Sequence, residues 1–159
     1  GAENRSRFGH FEIDTVNGKG SKHCIVTMVD RKSRQVAIGK LKNHTTKELN
    51  RRVISMIRSL REDGVKVLTL TADNGTEFHG FKRIETASDV TFYFATPYHS
   101  WERGTNENMN GLIRQYIPKG FDMIKVTQRK CNWIANRLNR RPKKILGFLT
   151  PEEYHERSS

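Results

Sequence analysis

Two acidic residues occur at positions where carboxylates are able to bind a metal ion. Asp14 lies inside an alternating segment, residues 11–16, that predicts a strand, and a carboxylate on a covered strand is costly unless a cation or hydrogen bonds stabilise its charge. Asp73 closes a later apolar strand, and ligand crevices open at the carboxyl ends of strands in α/β sheets. A solvated polar face would also explain Asp14, and turn chemistry alone would explain Asp73.

A third acid, Glu107, lies on the non-core face of a predicted helix over residues 105–116. At 100° per residue the apolar stripe of this helix consists of Met109, Leu112, Ile113 and Tyr116. The opposite face carries Glu107, Asn110, Gly111 and Arg114. A glycine within a helix costs ~1 kcal/mol relative to alanine, and a plain solvent face offers nothing to offset that cost. We therefore expect something to approach the backbone beside Glu107, with an ordinary solvent face as the alternative.

The charge of the chain indicates a polyanionic partner. Its 159 residues include 29 Lys and Arg against 17 Asp and Glu, for a formal net charge of +12. Residues 123–151 contain no acid, one interleaved tryptophan (Trp133) and eight basic residues: Lys125, Arg129, Lys130, Arg137, Arg140, Arg141, Lys143 and Lys144. A run of one sign is what phosphate contacts require, although a solvated face is the simpler alternative.

Composition excludes several other classes. The length suits one domain, and every apolar stretch is far shorter than the roughly 20 residues that span a bilayer. The two cysteines, Cys24 and Cys131, exclude a disulfide framework, and the six scattered histidines supply no common zinc ligand set. The remaining acids are interpreted as structural, with Glu12 and Glu102 the least certain. We expect a cytoplasmic protein.

The elements that must position these side chains follow the order β-β-β-α-β-α-β-α-α. Residues 11–16, 24–29 and 35–41 predict an antiparallel meander, and the second of these strands has no polar face, so helices should cover both sides of the sheet. Thr45 and Glu48 form a capping box for a helix that Asp63 and Gly64 end. The later elements are strand 65–70, helix 77–85, strand 90–95, helix 105–116 and helix 127–140.

Four motifs carry a resemblance to a known family. They are GHFEIDTV at residues 9–16, TADNGTEF at 71–78, PYHSWERGTNEN at 97–108 and NGLIRQYIPKG at 110–120. In this order they resemble the catalytic core of insertion-sequence-thirty type bacterial transposases, within the retroviral-integrase-like superfamily. The resemblance covers residues 9 to about 154, and the 33 residues between Asp73 and Glu107 suit the family's Asp-Asp-Glu triad.

The resemblance implies a ribonuclease-H-like α/β fold, a mixed five-stranded sheet with helices on both faces. Its first and fourth strands would bring Asp14 and Asp73 together, and a helix would deliver Glu107. These three residues would be catalytic and would bind two Mg²⁺ ions, or Mn²⁺ as a substitute, when DNA is present. Asp14 would bridge the ions, water would cleave the element ends, and the freed 3′-hydroxyl would attack target DNA.

The resemblance and the charge pattern together predict the surroundings of the site. Residues 1–8 would be a vector or linker remnant and residues 9–159 the core domain, without the helix-turn-helix region of family members. The active form is expected to be a homo-oligomer on bacterial nucleoid DNA. Nucleic-acid contacts are predicted for Arg103, Asn110, Arg114, Lys119, Arg137, Arg140, Arg141, Lys143 and Lys144. The alternatives are a non-catalytic nucleic-acid-binding module on the same fold and a nuclease that only hydrolyses.

Overall fold

The computed structural model describes residues 8–73, 76–95, 104–141, 150–151 and 153, without the side chains of residues 76 and 104–107. Five strands form one mixed sheet: β1 (His10–Asn17), β2 (Cys24–Asp30), β3 (Val36–Leu41), β4 (Thr69–Ala72) and β5 (Thr91–Phe94). Their order across the sheet is β3-β2-β1-β4-β5. The first three strands are antiparallel, and β4 runs parallel to both β1 and β5. The predicted meander is confirmed, and so is the adjacency of the first and fourth strands.

Within the described ranges, four helices with full bounds flank the sheet: α1 (Thr46–Glu62), α2 (Phe81–Ser88), α3 (Gly104–Ile113) and α4 (Gln128–Asn139). Short 3₁₀ turns occupy Thr76–Phe78 and Met123–Lys125. Helix α1 begins as predicted, because the Thr45 hydroxyl accepts the Glu48 N–H at 3.2 Å. The Glu48 carboxylate accepts the N–H groups of Lys42 and Asn43, which fixes the chain that enters the helix. None of the helices in the described ranges is long and apolar enough to cross a membrane.

Two apolar layers lie on opposite faces of the sheet. Phe11 and Ile13 of β1 pack with α1 and α2 in the first layer, and Val16 packs with α3 and α4 in the second. Every residue of β2 is buried, so that strand is covered from both sides as its sequence indicated. The free thiols of Cys24 and Cys131 belong to different layers, and burial raises the pKa of each to about 11.

The predicted strand 65–70 is wrong in its bounds. The carbonyl of Gly9 accepts the N–H groups of both Leu68 and Thr69, at 2.7 and 3.1 Å. This contact precedes the β1–β4 ladder, whose first pair is His10–Thr69. The strand consequently begins at Thr69 and continues to Ala72, which brings its end to the residue directly before Asp73.

The predicted helix 77–85 is divided in the structure. A 3₁₀ turn ends at Phe78 and α2 begins only at Phe81. Gly80 approaches the first turn of α1 so closely that an added Cβ would overlap Thr46 Cγ2. The Gly80 carbonyl also accepts the Asn50 side-chain amide at 3.1 Å, so contact with α1 interrupts the helical run.

Helix α4 closes the outer edge of β3 with side-chain amides, a feature the sequence analysis did not predict. Asn139 accepts the Val36 N–H at 2.8 Å and donates to the Val36 carbonyl at 3.0 Å. Gln128 accepts the Lys40 N–H at 2.7 Å and donates to the Ile38 carbonyl at 3.0 Å. Backbone groups on an edge strand otherwise need water or another strand. Two side chains of one helix therefore stand in for a neighbouring strand.

Candidate active site

The two predicted aspartates lie at corresponding positions relative to adjacent parallel strands, Asp14 within β1 and Asp73 directly after β4. The register between β1 and β4 runs from His10–Thr69 to Glu12–Thr71. Asp14 and Asp73 each follow the last pair by two residues. Residues that are in register on adjacent parallel strands lie side by side, toward the same end of the two strands. The backbone therefore brings these two carboxylate-bearing residues to one place, although 58 residues separate them in sequence.

The Asp14 carboxylate is half-buried and is held by two hydrogen bonds. Its Oδ1 accepts the N–H of Thr15 at 2.9 Å, and its Oδ2 accepts the side-chain amide of Asn110 at 3.2 Å. Asn110 belongs to α3, so the second bond connects that helix directly to β1. Hydrogen bonds to a charged carboxylate favour its ionised form. The amide of Asn110 thus has a structural partner within the site, beside the nucleic-acid role predicted for it.

Helix α3 presents the predicted core stripe to the sheet. Met109 and Ile113 are buried in the second layer, with Leu112 and Tyr116 half-buried against it. The backbone of Glu107 lies in α3, one turn before Asn110, and its side chain lies outside the described part of the structure. Gly111 is exposed, and an added Cβ there would meet open space.

The donor set beside Asp14 fits a hard divalent cation. Carboxylate and amide oxygens are the ligands that Mg²⁺ accepts, and Asp14 and Asp73 supply carboxylates at one sheet edge. The Oδ1 atom of Asn110 is buried and has no hydrogen-bond donor among the described residues. A group of three acidic, histidine or cysteine side chains is absent from the described part of the chain, which does not include the Glu107 carboxylate. The described residues therefore include only some of the ligands that the sequence analysis expects for a metal site.

Apart from Asn110, the predicted nucleic-acid contacts fall into three groups. Lys119, Arg137, Arg140 and Arg141 are exposed, as phosphate contacts require. Arg114 is half-buried, and its guanidinium donates to the Ile117 carbonyl at 3.4 Å. Arg103, Lys143 and Lys144 lie outside the described residues.

An aromatic side chain organises the exposed charge of α4. Trp133 is 46% exposed, unusually high for its size, and packs edge-on against Tyr116 with ring centroids 5.7 Å apart. Lys130 Nζ lies 4.7 Å and Arg137 Cζ 5.4 Å from the Trp133 ring centroid, within cation–π range. The ring therefore holds two cations at the protein surface.

Two other acids of the sheet belong to a separate buried charge cluster. Glu12 is fully buried, and its carboxylate lies 3.8 Å from the Arg31 guanidinium. Asp30 is also fully buried and accepts the N–H groups of Gly9, Lys32 and Ser33 at 2.7–2.9 Å. These contacts support the structural interpretation of Glu12. Glu102, the other uncertain acid, lies outside the described residues.

Comparison with known sequences identifies the family. Residues 4–100 match the integrase core domain family, a span that includes both aspartates. The chain belongs to the integrase core domain family. This core is similar to the transposase for insertion sequence element IS4351 of Bacteroides fragilis, with 47% identity over 95% of the chain and 45% of that protein. It is also similar to transposase InsI of element IS30A of Escherichia coli K12, with 41% identity over 98% of the chain and 40% of that protein.

Solved structures confirm the fold of this integrase core. The catalytic core domain of BIV integrase superposes with a TM-score of 0.70 at 18% identity, covering 96% of each chain. A chain of the simian T-cell lymphotropic virus intasome superposes with a TM-score of 0.67 at 16% identity, covering 92% of this chain and 52% of that one. The ribonuclease-H-like fold class predicted from the sequence is therefore confirmed.

The expected family is also confirmed. The integrase core match and the transposase relatives agree with a DDE-type transposase or integrase catalytic core. The chain spans less than half the length of the curated relatives described above.

Two side-chain hydrogen bonds near the aspartates were not predicted from the sequence, one from Asn110 to Asp14 and one from Thr15 to Glu77. Both depend on side-chain placement between distant segments.

Proposed function

We propose that this integrase core cleaves DNA at the ends of a mobile element and joins the freed 3′ ends to target DNA, with Asp14, Asp73 and Glu107 as its catalytic and metal-binding residues. One observation carries the proposal. The parallel register places Asp14 and Asp73 two residues beyond the last β1–β4 pair, and Asn110 joins Asp14 to the helix that contains Glu107.

The carboxylates account for the chemistry in the following way. Two Mg²⁺ ions, or Mn²⁺ in their place, would lower the pKa of the attacking hydroxyl and stabilise the charge on the leaving oxygen. Asp14 would contribute to both ions, and Asp73 and Glu107 would each complete one of them. The Asn110 amide holds one Asp14 oxygen in place, which limits the rotation of the carboxylate. The same three acids would repel one another without cations.

DNA is the proposed substrate and partner. The exposed basic side chains of Lys119, Arg137, Arg140 and Arg141 would contact phosphates. The proposal extends this contact surface to Arg103, Asn110, Arg114, Lys143 and Lys144. Contacts of this kind add affinity without base specificity. Strand transfer at two element ends favours a homo-oligomer, acting on nucleoid DNA in the bacterial cytoplasm.

A strand-transfer assay tests the proposal with a supercoiled target and two substrates, intact element ends to measure cleavage and pre-cleaved ends to measure joining. The wild type should join the ends in Mg²⁺ or Mn²⁺, whereas Asp73→Asn and Glu107→Gln should abolish both cleavage and joining and still bind duplex DNA. Asp122→Asn is the matched control, because Asp122 caps the turn before α4 with an oxygen that asparagine also has.

The assay also separates the alternatives. Cleavage without joining would identify a nuclease that only hydrolyses, and DNA binding without either reaction would identify a non-catalytic module. Normal joining by Glu107→Gln would remove that residue from the triad.

A further inference from the structure

The segment that follows Asp73 is anchored to β1 at a second point. Glu77 lies in the 3₁₀ turn four residues after Asp73, and its Oε1 accepts the Thr15 hydroxyl at 3.0 Å. Thr15 directly follows Asp14 in β1. The next residue after Glu77, Phe78, is buried in the first apolar layer. Within the described part of the chain, the Glu77 hydrogen bond and the buried Phe78 ring therefore hold this turn against the sheet.

Thr15 forms hydrogen bonds with both Asp14 and Glu77. Its backbone N–H donates to Asp14 Oδ1 at 2.9 Å, and its hydroxyl donates to Glu77. Side chains alternate along a strand, so the Thr15 hydroxyl projects from the face opposite to Asp14. The bond to Glu77 consequently lies on the sheet face opposite to the Asp14 side chain.

This contact lies where the strand ladder no longer aligns the two segments. The last β1–β4 pair is Glu12–Thr71, and the two aspartates lie two residues beyond it. A metal site requires its carboxylates at fixed separation, and residues beyond the end of a ladder lose the hydrogen bonds that set that separation. The bond from Thr15 to Glu77 spans 62 residues of sequence and supplies such a constraint on the far side of Asp73.

We propose that Glu77 is a positioning residue for Asp73: by accepting the Thr15 hydroxyl, it sets the distance between Asp73 and Asp14. The presence of a metal at this site rests on the proposed function. The positioning geometry rests on the hydrogen bond between Thr15 and Glu77 alone. The inference assigns no contact with substrate to Glu77. A carboxylate charge is not needed for this role, because an amide oxygen also accepts a hydroxyl.

Substitutions that preserve or remove the hydrogen bond provide the test. Thr15→Val and Glu77→Leu remove the donor and the acceptor with little change in volume, while Thr15→Ser and Glu77→Gln retain them. The first measurement is hydrogen exchange of the backbone amides of residues 73–78 without metal. The second is the Mn²⁺ concentration that gives half of the maximal rise in melting temperature.

The expected pattern is specific to a positioning role. Thr15→Val and Glu77→Leu should speed exchange in the segment about tenfold and raise the Mn²⁺ midpoint several-fold, with the double variant no worse than the worse single one. Thr15→Ser and Glu77→Gln should remain within about twofold of the wild type. Wild-type exchange in both removal variants, independent additive effects, or equal damage from Glu77→Gln and Glu77→Leu would overturn the inference.

The two proposals fail in different ways. An absence of Mn²⁺ stabilisation in the wild type would contradict the proposed metal site and would leave the exchange measurement to decide the role of Glu77. Normal Mn²⁺ stabilisation in the wild type, unchanged in Glu77→Leu, would retain the metal site and reject the positioning role.

Discussion

Asp14 differs from the other acids of β1 and β2 in what its carboxylate contacts. The Glu12 carboxylate is paired with a guanidinium, and Asp30 accepts three backbone N–H groups. Asp14 instead accepts one backbone N–H and the Asn110 amide at the edge of the sheet next to Asp73. The first two arrangements neutralise or satisfy a buried charge, whereas the third holds a half-buried carboxylate at the register position that corresponds to Asp73. This register and the Asn110 bond are the residue-scale basis for the proposed cation site.

Removal of the Asn110 amide tests that arrangement. Asn110→Ala should lower strand-transfer activity about tenfold or more, because a hydrogen bond to a charged group contributes about 1.5–3 kcal/mol and 1.4 kcal/mol corresponds to a factor of ten. Duplex affinity should fall far less than the joining rate, because Asn110 is one of nine proposed DNA contacts, and the melting temperature should fall with the lost hydrogen bond. The measurement is the joining rate of Asn110→Ala compared with Gln115→Ala, which alters an exposed amide just beyond α3. Equal rates in the two variants would show that Asn110 does not orient Asp14.

At the scale of elements, local sequence patterns correctly predicted the strands and helices that depend mainly on local interactions. The three meander strands, the Thr45 cap, the Met109 and Ile113 stripe and helix α4 follow from alternation, helical periodicity and capping. The errors occurred where a distant segment decides. Strand β4 begins only at Thr69, after the contact of residues 68 and 69 with Gly9. The close approach of Gly80 to α1 divides the predicted helix 77–85.

The candidate site follows the same division. Strand alternation and helix angles selected Asp14 and Glu107 from the sequence, and the family resemblance joined them with Asp73 into one triad. Side-chain bonds across long separations, such as Asn110 to Asp14 and Thr15 to Glu77, have no signature in either partner's neighbourhood.

The amide cover on the edge of β3 predicts a large loss of stability from one substitution. Asn139→Ala should lower the free energy of unfolding by at least ~2 kcal/mol, because it leaves both the N–H and the carbonyl of Val36 buried without their partner. Asn136→Ala, at an exposed position of the same helix, should cost far less. Urea unfolding of the two variants gives the comparison. Equal losses would show that the amide does not replace a strand.

Helix α3 gives a second element-scale prediction, in which stability and activity move in opposite directions. Gly111→Ala should stabilise the domain by up to ~1 kcal/mol, because the position is exposed and an added Cβ meets open space. Activity should fall, since the methyl group projects on the helix side that carries Glu107 and Asn110. Melting temperature and joining rate are measured together, and Gly111→Leu should reduce activity further. A more stable and fully active Gly111→Ala would leave the glycine without a role.

For the molecule as a whole, the two faces of the sheet have different roles. Helices α1 and α2 cover the first apolar layer, and α3 and α4 cover the second. The bond to Asp14 comes from the second set, which also carries Trp133 with its two cations. We therefore expect DNA to bind on the α3 and α4 side, although α1 also carries several basic residues.

Replacement of charge on one side tests this expectation against an equal replacement on the other. Changing Arg137, Arg140 and Arg141 to Gln should weaken binding to all duplex sequences alike and reduce the log–log salt slope by up to ~0.9 for each phosphate that the protein no longer neutralises. Changing Lys47, Arg51 and Arg58 of α1 to Gln removes the same charge and should leave the slope nearly unchanged. Equal reductions in both triple variants would show that net charge, rather than this surface, binds DNA.

The central claim is that Asp14, Asp73 and Glu107 bind divalent metal together, and the metal-induced rise in melting temperature tests it most directly. A ligand at 100 times its Kd stabilises the folded state by about 2.7 kcal/mol, so Mn²⁺ or Mg²⁺ should raise the wild-type melting temperature by several degrees. Asp122→Asn should show the same rise. Asp14→Asn, Asp73→Asn and Glu107→Gln should each lose most of it, because each variant removes one carboxylate from the site. An equal rise in the wild type and in Asp14→Asn would contradict the account.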